Sequence, residues 1–416
     1  MTEREFATDV VDRLQRAGHQ ALWAGGCVRD ELLGFTPADY DVATDARPER
    51  VKELFRRCHS FGASFGVVEV LGPRGSDGEW LKVQVATFRS DGTYSDGRHP
   101  DTVTFSSPEE DAQRRDFTIN GMFYDPVTKQ VIDYVGGQAD LQLRVLRAIG
   151  NAAERFTEDK LRILRAVRMA ARFELTFDPA TMESAKQMAG EIRVVSAERI
   201  AEELRKILTN RHRARGFHLL GEMHLLQAIL PELEHATESI QARLEVLAGP
   251  TWPTPQPITF ELAFAVILHD VNSRETSAIA KRLRLSNQEA DRLVWLIDKC
   301  RSLQDSPTLR MSQLQPILVH PGIGELLALC RADALATGRS LAGIDFCEAL
   351  LRNTPPDQLN PTPLITGDDL QAVGMKPGPQ FKRILDAVRD AQLNGEITTK
   401  ADGLNLASQL RPPAGS

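Results

Sequence analysis

Strand signals in this chain concentrate in about the first 140 of its 416 residues; beyond them they almost vanish and helical patterns dominate. The clearest strands are Gly66-Val67-Val68-Glu69-Val70-Leu71 and Leu81-Lys82-Val83-Gln84-Val85-Ala86-Thr87-Phe88, rich in β-branched residues with partial alternation. Between them, Gly72-Pro73-Arg74-Gly75-Ser76-Asp77-Gly78 reads as a turn. Ala21-Leu22-Trp23-Ala24 reads as a short strand running into Gly25-Gly26, and residues 39–43 as the next strand. Apolar residues at helical spacing (Phe6, Val10, Leu14) mark a helix over 3–17, and Gly34 closes another over 27–33. A third helix spans 48–57, with Pro48 near its start. Beyond about Leu141 helical patterns run to Arg411, broken by Pro/Gly/Thr-rich stretches at 249–257 and 354–363. The expected fold is an α/β N-terminal head, a small mixed sheet with helices, followed by an all-α remainder.

The head carries the chemistry. Gly25-Gly26-Cys27-Val28-Arg29-Asp30 is followed closely by Asp39-Tyr40-Asp41. On a strand, residues two apart share a face, so Asp39 and Asp41 present two hard oxygen ligands side by side. Mg²⁺ prefers such carboxylates together with substrate phosphates. Gly25 and Gly26 let backbone N–H groups approach a phosphate, and Arg29 adds a guanidinium fork. An isolated Asp-x-Asp is usually surface decoration, and a Gly-Gly usually a turn. Their combination within about twenty residues points instead to metal-assisted nucleotidyl transfer.

Composition narrows the classes. With 42% hydrophobic and 26% charged residues the chain is ordinary globular protein, long enough for two to four domains. No apolar run is long enough to cross a bilayer, and the N-terminus lacks the apolar core of a secretion signal. The 5 cysteines (Cys27, Cys58, Cys300, Cys330, Cys347) show neither zinc spacing nor a disulfide framework, which fits a reducing cytoplasm. A net charge of -7 argues against nonspecific coating of nucleic acid but leaves room for a local basic groove. Arginines do concentrate from Arg144 onward, through Arg147, Arg155, Arg162, Arg165, Arg168 and Arg172.

Two further clusters stand out. Arg114-Arg115-Asp116-Phe117-Thr118-Ile119-Asn120 combines two guanidinium forks, an Asp, an Asn and an apolar anchor. It is either an internal salt-bridge network or a site in which Arg115 contacts triphosphate while Asp116 and Asn120 hold the local fold or the sugar. In Phe156-Thr157-Glu158-Asp159-Lys160-Leu161-Arg162, Thr157 reads as an N-cap and Phe156 with Leu161 as a hydrophobic staple. Asp159, Arg162, Arg165 and Arg168 then form a polar stripe on one helix. That stripe is either surface salt bridges or a base reader. A carboxylate accepts from the exocyclic amine of C or A, and a guanidinium donates to the neighbouring ring acceptor. Leaving a buried polar group unpaired costs about 1–3 kcal/mol, enough to discriminate bases.

These residues resemble the class II tRNA nucleotidyltransferase (CCA-adding enzyme)/poly(A) polymerase family of the DNA polymerase beta superfamily. Residues 25–34 with Asp39-Tyr40-Asp41 resemble its first motif and Arg114 to Asn120 its second. Asp133-Tyr134-Val135-Gly136-Gly137 resembles the third, Glu158-Asp159-Lys160-Leu161-Arg162 the fourth, and Ser196-Ala197-Glu198-Arg199-Ile200 the fifth. The resemblance thins after about residue 230. It implies an elongated molecule: a head over 1–143, a neck with nucleobase-recognition helices over 144–215, a helical body over 216–355 and a helical tail over 356–416. It implies Asp39 and Asp41 as catalytic metal ligands for Mg²⁺. It implies nucleotide binding by Gly25, Gly26, Arg29, Arg115, Asp116, Asn120, Asp159, Arg162, Arg165 and Arg168. The implied reaction is template-independent addition of C, C and A from CTP and ATP to the tRNA acceptor end.

One departure is visible. Where family members often carry a third acidic residue, this chain has Gln84, so either two carboxylates suffice or Glu69 substitutes from the neighbouring strand. The alternatives are a poly(A) polymerase, an enzyme adding only A or only CC, and a catalytically silent RNA-binding protein. His269-Asp270 is open to two readings, a structural histidine at a helix end or the remnant of a metal phosphohydrolase pair, and no companion ligands are evident in sequence.

Overall fold

The computed structural model describes residues 1–61, 66–75, 78–92, 102–249, 257–304 and 306–411. The chain divides into two compact units, Met1–Glu234 and His235–Ser416. The expected break at 249–257 lies largely outside the described residues.

The first unit opens with α1 (Glu3–Arg16). Thr2 and Glu5 cap it reciprocally, satisfying two backbone donors that the first turn leaves open. Its apolar side, Phe6, Val10, Val11 and Leu14, is buried against the sheet. That sheet has 7 strands in the order β3-β4-β5-β2-β1-β8-β9. They are β1 (Ala21–Ala24), β2 (Asp41–Thr44), β3 (Cys58–Phe61), β4 (Val67–Arg74), β5 (Trp80–Thr87), β8 (Phe123–Asp125) and β9 (Gln130–Ile132). β2 and β5 run parallel and the other neighbours antiparallel, so the sheet is mixed. Helices α2 (Gly26–Leu32) and α3 (Pro48–Leu54) follow the strands before them, and a small ribbon of β6 (Arg89–Asp91) and β7 (Val103–Phe105) leads to α4 (Pro108–Gln113). Leu22, Ala24, Ala43, Phe88, Ala112 and Phe123 form one of its apolar centres.

Several boundaries differ from expectation. β4 runs on to Arg74, so the hairpin turn is shorter than the Gly/Pro-rich stretch suggested. The helix at Pro48 ends at Leu54, because the chain turns into β3 four residues later. Asp39 precedes β2 rather than belonging to it. The backbone alternation nonetheless holds: Tyr40 is buried at 4% exposure while Asp39 and Asp41 are exposed.

After α5 (Gly137–Gln142) the unit is helical apart from the two-residue strands β10 (Val145–Leu146) and β11 (Thr176–Phe177). The expected single helix near 157 is two helices. α6 (Ala152–Glu158) is capped by Asn151, and Thr157 lies inside it, its hydroxyl donating to the Ala153 carbonyl. Asp159 is extended, breaking the helix, and its side chain accepts from the Leu161 N–H before α7 (Arg162–Arg172) begins. Asp overrides the apolar periodicity here because its carboxylate captures a backbone donor locally. α8 (Pro179–Met188), α9 (Ala197–Leu208), α10 (Arg213–Glu222) and α11 (Leu225–Ile229) complete the unit, α9 and α10 packing on α7.

The second unit contains α12 (Thr237–Ala248), α13 (Phe260–Ile267), α14 (Ser273–Arg282), α15 (Asn287–Gln304), α16 (Met311–Leu318), α17 (Ile323–Thr337) and α18 (Ala342–Asn353). Then follow α19 (Pro356–Leu359), α20 (Gly367–Ala372), α21 (Pro379–Leu393) and α22 (Lys400–Gln409). α15 and α17 pack on one another and on α13, while Ile365, Leu370, Ile384, Val388 and Ala407 make a separate apolar cluster among the last helices. No described helix is long and apolar enough to cross a membrane.

Candidate active site

Strand register builds the centre of the site. β1 and β2 are antiparallel with Trp23 opposite Val42, so the C-terminal end of β1 lies beside the N-terminal end of β2. Gly25, just past the first, and Asp41, at the start of the second, therefore meet. β8 flanks β1 on the other side with Phe123 opposite Ala24, and the Gly25 N–H donates to the Met122 carbonyl at 3.1 Å. That bond spends the Gly25 donor on the fold, contrary to its expected role towards a phosphate. Gly25 instead supplies shape. Its φ is +76°, and a Cβ there would stand 2.8 Å from Nη1 of Arg115.

The result is a cleft of about 590 Å³ that every residue expected at the site lines: Gly25, Gly26, Arg29, Asp39, Asp41, Arg115, Asp116, Asn120, Asp159, Arg162, Arg165 and Arg168. Arg114, Arg172, Arg199, Asp30 and Met169 also line it, although sequence assigned none of them a role at the site. Its eight arginines face five aspartates, a positive excess suited to a polyphosphate. Arg199 had a signal, the fifth motif, but its helix phase alone does not reveal that it faces this cleft.

Asp39 and Asp41 enter the cleft together. Crowding by the surrounding protein pushes the Asp41 carboxyl up to about 6; the charge of Asp39 acts in the same direction and the Arg115 guanidinium opposes it. In parallel register Asp41 pairs with Gln84, which pairs with Glu69 on β4. Glu69 is thus two strands from Asp41, roughly 10 Å at ordinary strand spacing. Neither Gln84 nor Glu69 is among the residues that line the cleft.

The arginines are held by carboxylates. Arg115 sits 2.9 Å from Asp111, which is buried and also binds Arg114 at 2.7 Å. Although burial raises the Asp111 carboxyl, these two guanidinium groups outweigh it and hold it below its usual range. Arg29 is buried, 2.6 Å from Asp30, with another guanidinium nitrogen on the Asn120 side-chain oxygen and its plane 4.3 Å from the Phe173 ring. Arg165 forks onto one Asp116 oxygen at 2.6 and 2.9 Å, while Asn120 donates to the other at 3.0 Å. Burial raises the Asp116 carboxyl, but Arg165 and Asn120 together keep it well below the usual carboxylate range. The Arg114–Asn120 cluster is therefore an internal ion network, one of the two readings sequence left open, and it also lines the cleft.

Asp159 and Arg162 line the same cleft without touching each other's charge. Asp159 is 2.7 Å from Arg199 on α9, and Arg162 is 2.5 Å from Glu158. Arg168 is held by Glu203 at 2.7 Å. The helix break at Asp159 is what frees its carboxylate from the α7 face and turns it towards α9. Asp133, in the third motif, accepts from the N–H groups of Val135, Gly136, Gly137 and Gln138 and so closes a turn; it does not line the cleft. His269 and Asp270 lie in the second unit, where Asp270 is bound by Arg243 at 2.8 Å, and no set of three or more metal-binding side chains occurs among the described residues.

Comparison with known proteins bears on the family and the fold. Residues 21–147 match the family model described as the poly A polymerase head domain, and residues 174–237 match the probable RNA and SrmB-binding site of polymerase A. The chain is 32% identical to a CCA-adding enzyme of Levilactobacillus brevis over 97% of both chains. It is also 32% identical to poly(A) polymerase I of Escherichia coli, over 85% of this chain and 84% of that one. The crystal structure of the Bacillus stearothermophilus CCA-adding enzyme in complex with CTP aligns over 98% of both chains, with 28% identity and a TM-score of 0.78. Motif order, mixed-sheet head, helical remainder and full-length similarity together make this chain a member of the nucleotidyltransferase family that contains the CCA-adding enzymes and the poly(A) polymerases.

Proposed function

We propose that this chain adds C, C and A from CTP and ATP to the 3′ end of tRNA, releasing pyrophosphate at each step. The observation that carries the reading is the convergence of Asp39, Asp41, Arg115, Asp159 and Arg162 in one cleft with a positive excess. Asp39 and Asp41 are a donor pair that a hard cation would satisfy; burial first and the charge of Asp39 second raise the Asp41 carboxyl, and a bound cation would counter both by favouring the charged form. Bound there, Mg²⁺ would supply Lewis-acid activation and charge neutralisation for phosphoryl transfer.

The chain's own residues do the rest. Arg115 and its neighbours draw the triphosphate against the Gly25-Gly26 turn, where only glycine leaves room for the Arg115 guanidinium. Gly26 lines the approach. Asp159 and Arg162 meet the base edge, and Arg199 sets the direction of the Asp159 carboxylate. The Arg165–Asp116–Asn120 network holds α7, and with it Arg162 and Arg168, at a fixed position on the wall of the head. The RNA 3′-hydroxyl attacks the α-phosphate and pyrophosphate departs. The acceptor end of tRNA would be bound by backbone and shape, with affinity falling as salt rises.

Within this reading the head covers 1–143, the neck 144–215, the body 216–355 and the tail 356–416, and the enzyme works in the cytoplasm. The test is gel analysis of products from a tRNA lacking its terminal CCA, supplied with CTP alone, ATP alone or both. Extension by CC with CTP and completion by a single A when ATP is present support the reading. The second reading is poly(A) synthesis, favoured by the equal identity to a poly(A) polymerase; a long A tail from ATP alone would establish it instead.

A further inference from the structure

The His269-Asp270 pair, which the nucleotide cleft does not use, belongs to a cluster in the second unit. Cys300 on α15 and Cys330 on α17 place their sulfurs 2.9 Å apart, and the Cys330 thiol also lies 3.5 Å from the Cys300 carbonyl oxygen. Both residues are buried, at 1% and 4% exposure. A disulfide bond measures about 2.05 Å, so the pair stands less than about 1 Å from bonding distance. His269 Nε2 is 3.8 Å from the Cys300 sulfur and its Nδ1 3.0 Å from Asp270. The same Nε2 lies 3.4 Å from Asp333, a carboxylate that also binds Arg243 and Arg339. Sequence alone gave these thiols no partners, because they are 30 positions apart on different helices.

We propose that Cys300 and Cys330 form a peroxide-sensitive oxidation site, in which a disulfide pins α15 to α17. The Cys300 sulfur attacks one peroxide oxygen and the O–O bond breaks, giving a sulfenic acid at Cys300 and one water. The Cys330 sulfur then attacks the Cys300 sulfur; the S–S bond forms, the S–O bond breaks, and the departing hydroxide takes the Cys330 proton as a second water. Two thiols are oxidised and one peroxide is reduced. His269 is placed to take the Cys300 proton and return it to the leaving oxygen.

The two sulfurs are unequal in the way this sequence needs. The hydrogen bond from Cys330 lowers the Cys300 thiol, burial opposes it, and His269 adds to the lowering; Cys330 is raised by Cys300 and by its own burial. Cys300, the sulfur that His269 adjoins, is thus placed as the attacking thiol and Cys330 as the resolving one. Burial selects the oxidant: hydrogen peroxide is small and uncharged, whereas a bulky aromatic disulfide reagent is excluded from sulfurs this covered.

The test uses the full-length reduced protein and hydrogen peroxide. The expected result is a loss of two hydrogens by intact mass and a Cys300–Cys330 linkage in non-reducing peptide maps, both reversed by dithiothreitol. A bond across 30 positions also restricts the unfolded chain, so the oxidised protein should unfold several degrees higher. Cys58, which is less buried, is the internal control. Oxidation of Cys58 to a sulfinic acid with no loss of two hydrogens would overturn the proposal, as would linkage of a different pair. In a Cys330→Ala variant the Cys300 sulfenic acid should persist and be captured when the peroxide-treated protein is unfolded in the presence of dimedone; absence of that adduct counts against Cys300 as the attacking thiol.

Discussion

The Arg199 guanidinium lies 2.7 Å from an Asp159 oxygen although 40 positions separate the two in sequence. Asp159, half-buried, lines the cleft at the break between α6 and α7, where its backbone is extended. One carboxylate oxygen is occupied by the Leu161 N–H and the other by Arg199. Its direction is therefore fixed from two sides, as the proposed role in base selection requires. Removing Arg199 should cost selectivity more than rate. For Arg199→Met we expect discrimination between CTP and UTP to fall by about tenfold, the equivalent of one charge-assisted hydrogen bond of about 1.5 kcal/mol, measured as the ratio of kcat/KM values for the two nucleotides. An unchanged ratio would remove Arg199 from base selection.

Asp39 and Asp41 differ from the arginine wall in leaving no cation partner of their own among the ion pairs of the described residues. Asp39→Asn and Asp41→Asn should each lower incorporation by at least about 10³-fold, the scale of losing a preorganised charge-stabilising group. CTP should still bind. Pyrophosphate release against calorimetric CTP binding separates the two effects, and loss of both together would mean that the head had failed to fold.

Gly25→Ala adds a methyl group where φ is +76° and Arg115 Nη1 is 2.8 Å away. The strained backbone alone costs about 1–2 kcal/mol, and Arg115 must move. The expected outcome is a rise in KM for the nucleotide of tenfold or more, with a smaller change in thermal stability. Steady-state kinetics with CTP and a calorimetric scan would check it.

Arg165→Met leaves Asp116 buried without its cation. Breaking a buried pair costs about 3–5 kcal/mol; because the Arg165 side chain is 36% exposed, about 2–3 kcal/mol is the better expectation here. Asp116→Asn in the same background should recover part of that loss by removing the stranded charge. Denaturant unfolding of Arg165→Met, Asp116→Asn and the double variant would read the coupling, and simple additivity would show that the pair is not acting as a unit.

Acid should weaken the second unit through Asp270. Burial raises its carboxyl, but hydrogen bonds from Arg243 and His269 outweigh that and bring it from 3.8 down to about 2. A depressed folded-state value means the contribution is complete above pH 3.8 and is lost as pH falls towards 2. Asp270 is 44% exposed, so the effect should stay near about 1 kcal/mol. Asp270→Asn should flatten this part of the stability–pH curve, followed by circular dichroism between neutral pH and pH 2.

The first unit's local elements were legible wherever backbone preference and burial agreed. Ala21–Ala24 and Trp80–Thr87 are strands because β-branched and apolar residues fill a buried sheet, and Glu3–Arg16 is a helix because its cap and its apolar spacing coincide. The helix near 157 was misread for a physical reason. Periodicity detects which residues seek the core, but Asp159 obeys a shorter-range demand, accepting a hydrogen bond from Leu161 that ends one helix before the next begins.

Residue types and spacing determined the chemistry on offer: two carboxylates flanking a buried Tyr40, a glycine turn, and arginines recurring every third position. Tertiary structure alone decided the company they keep. Strand register brings Asp41 beside Gly25 and opposite Gln84. Helix packing brings Arg199 to Asp159, and it brings Cys300 to Cys330 in the other unit. Local preferences act over a few residues and are written in the chain, whereas contacts across 30 or more positions exist only once burial of apolar surface has fixed which helices and strands lie together.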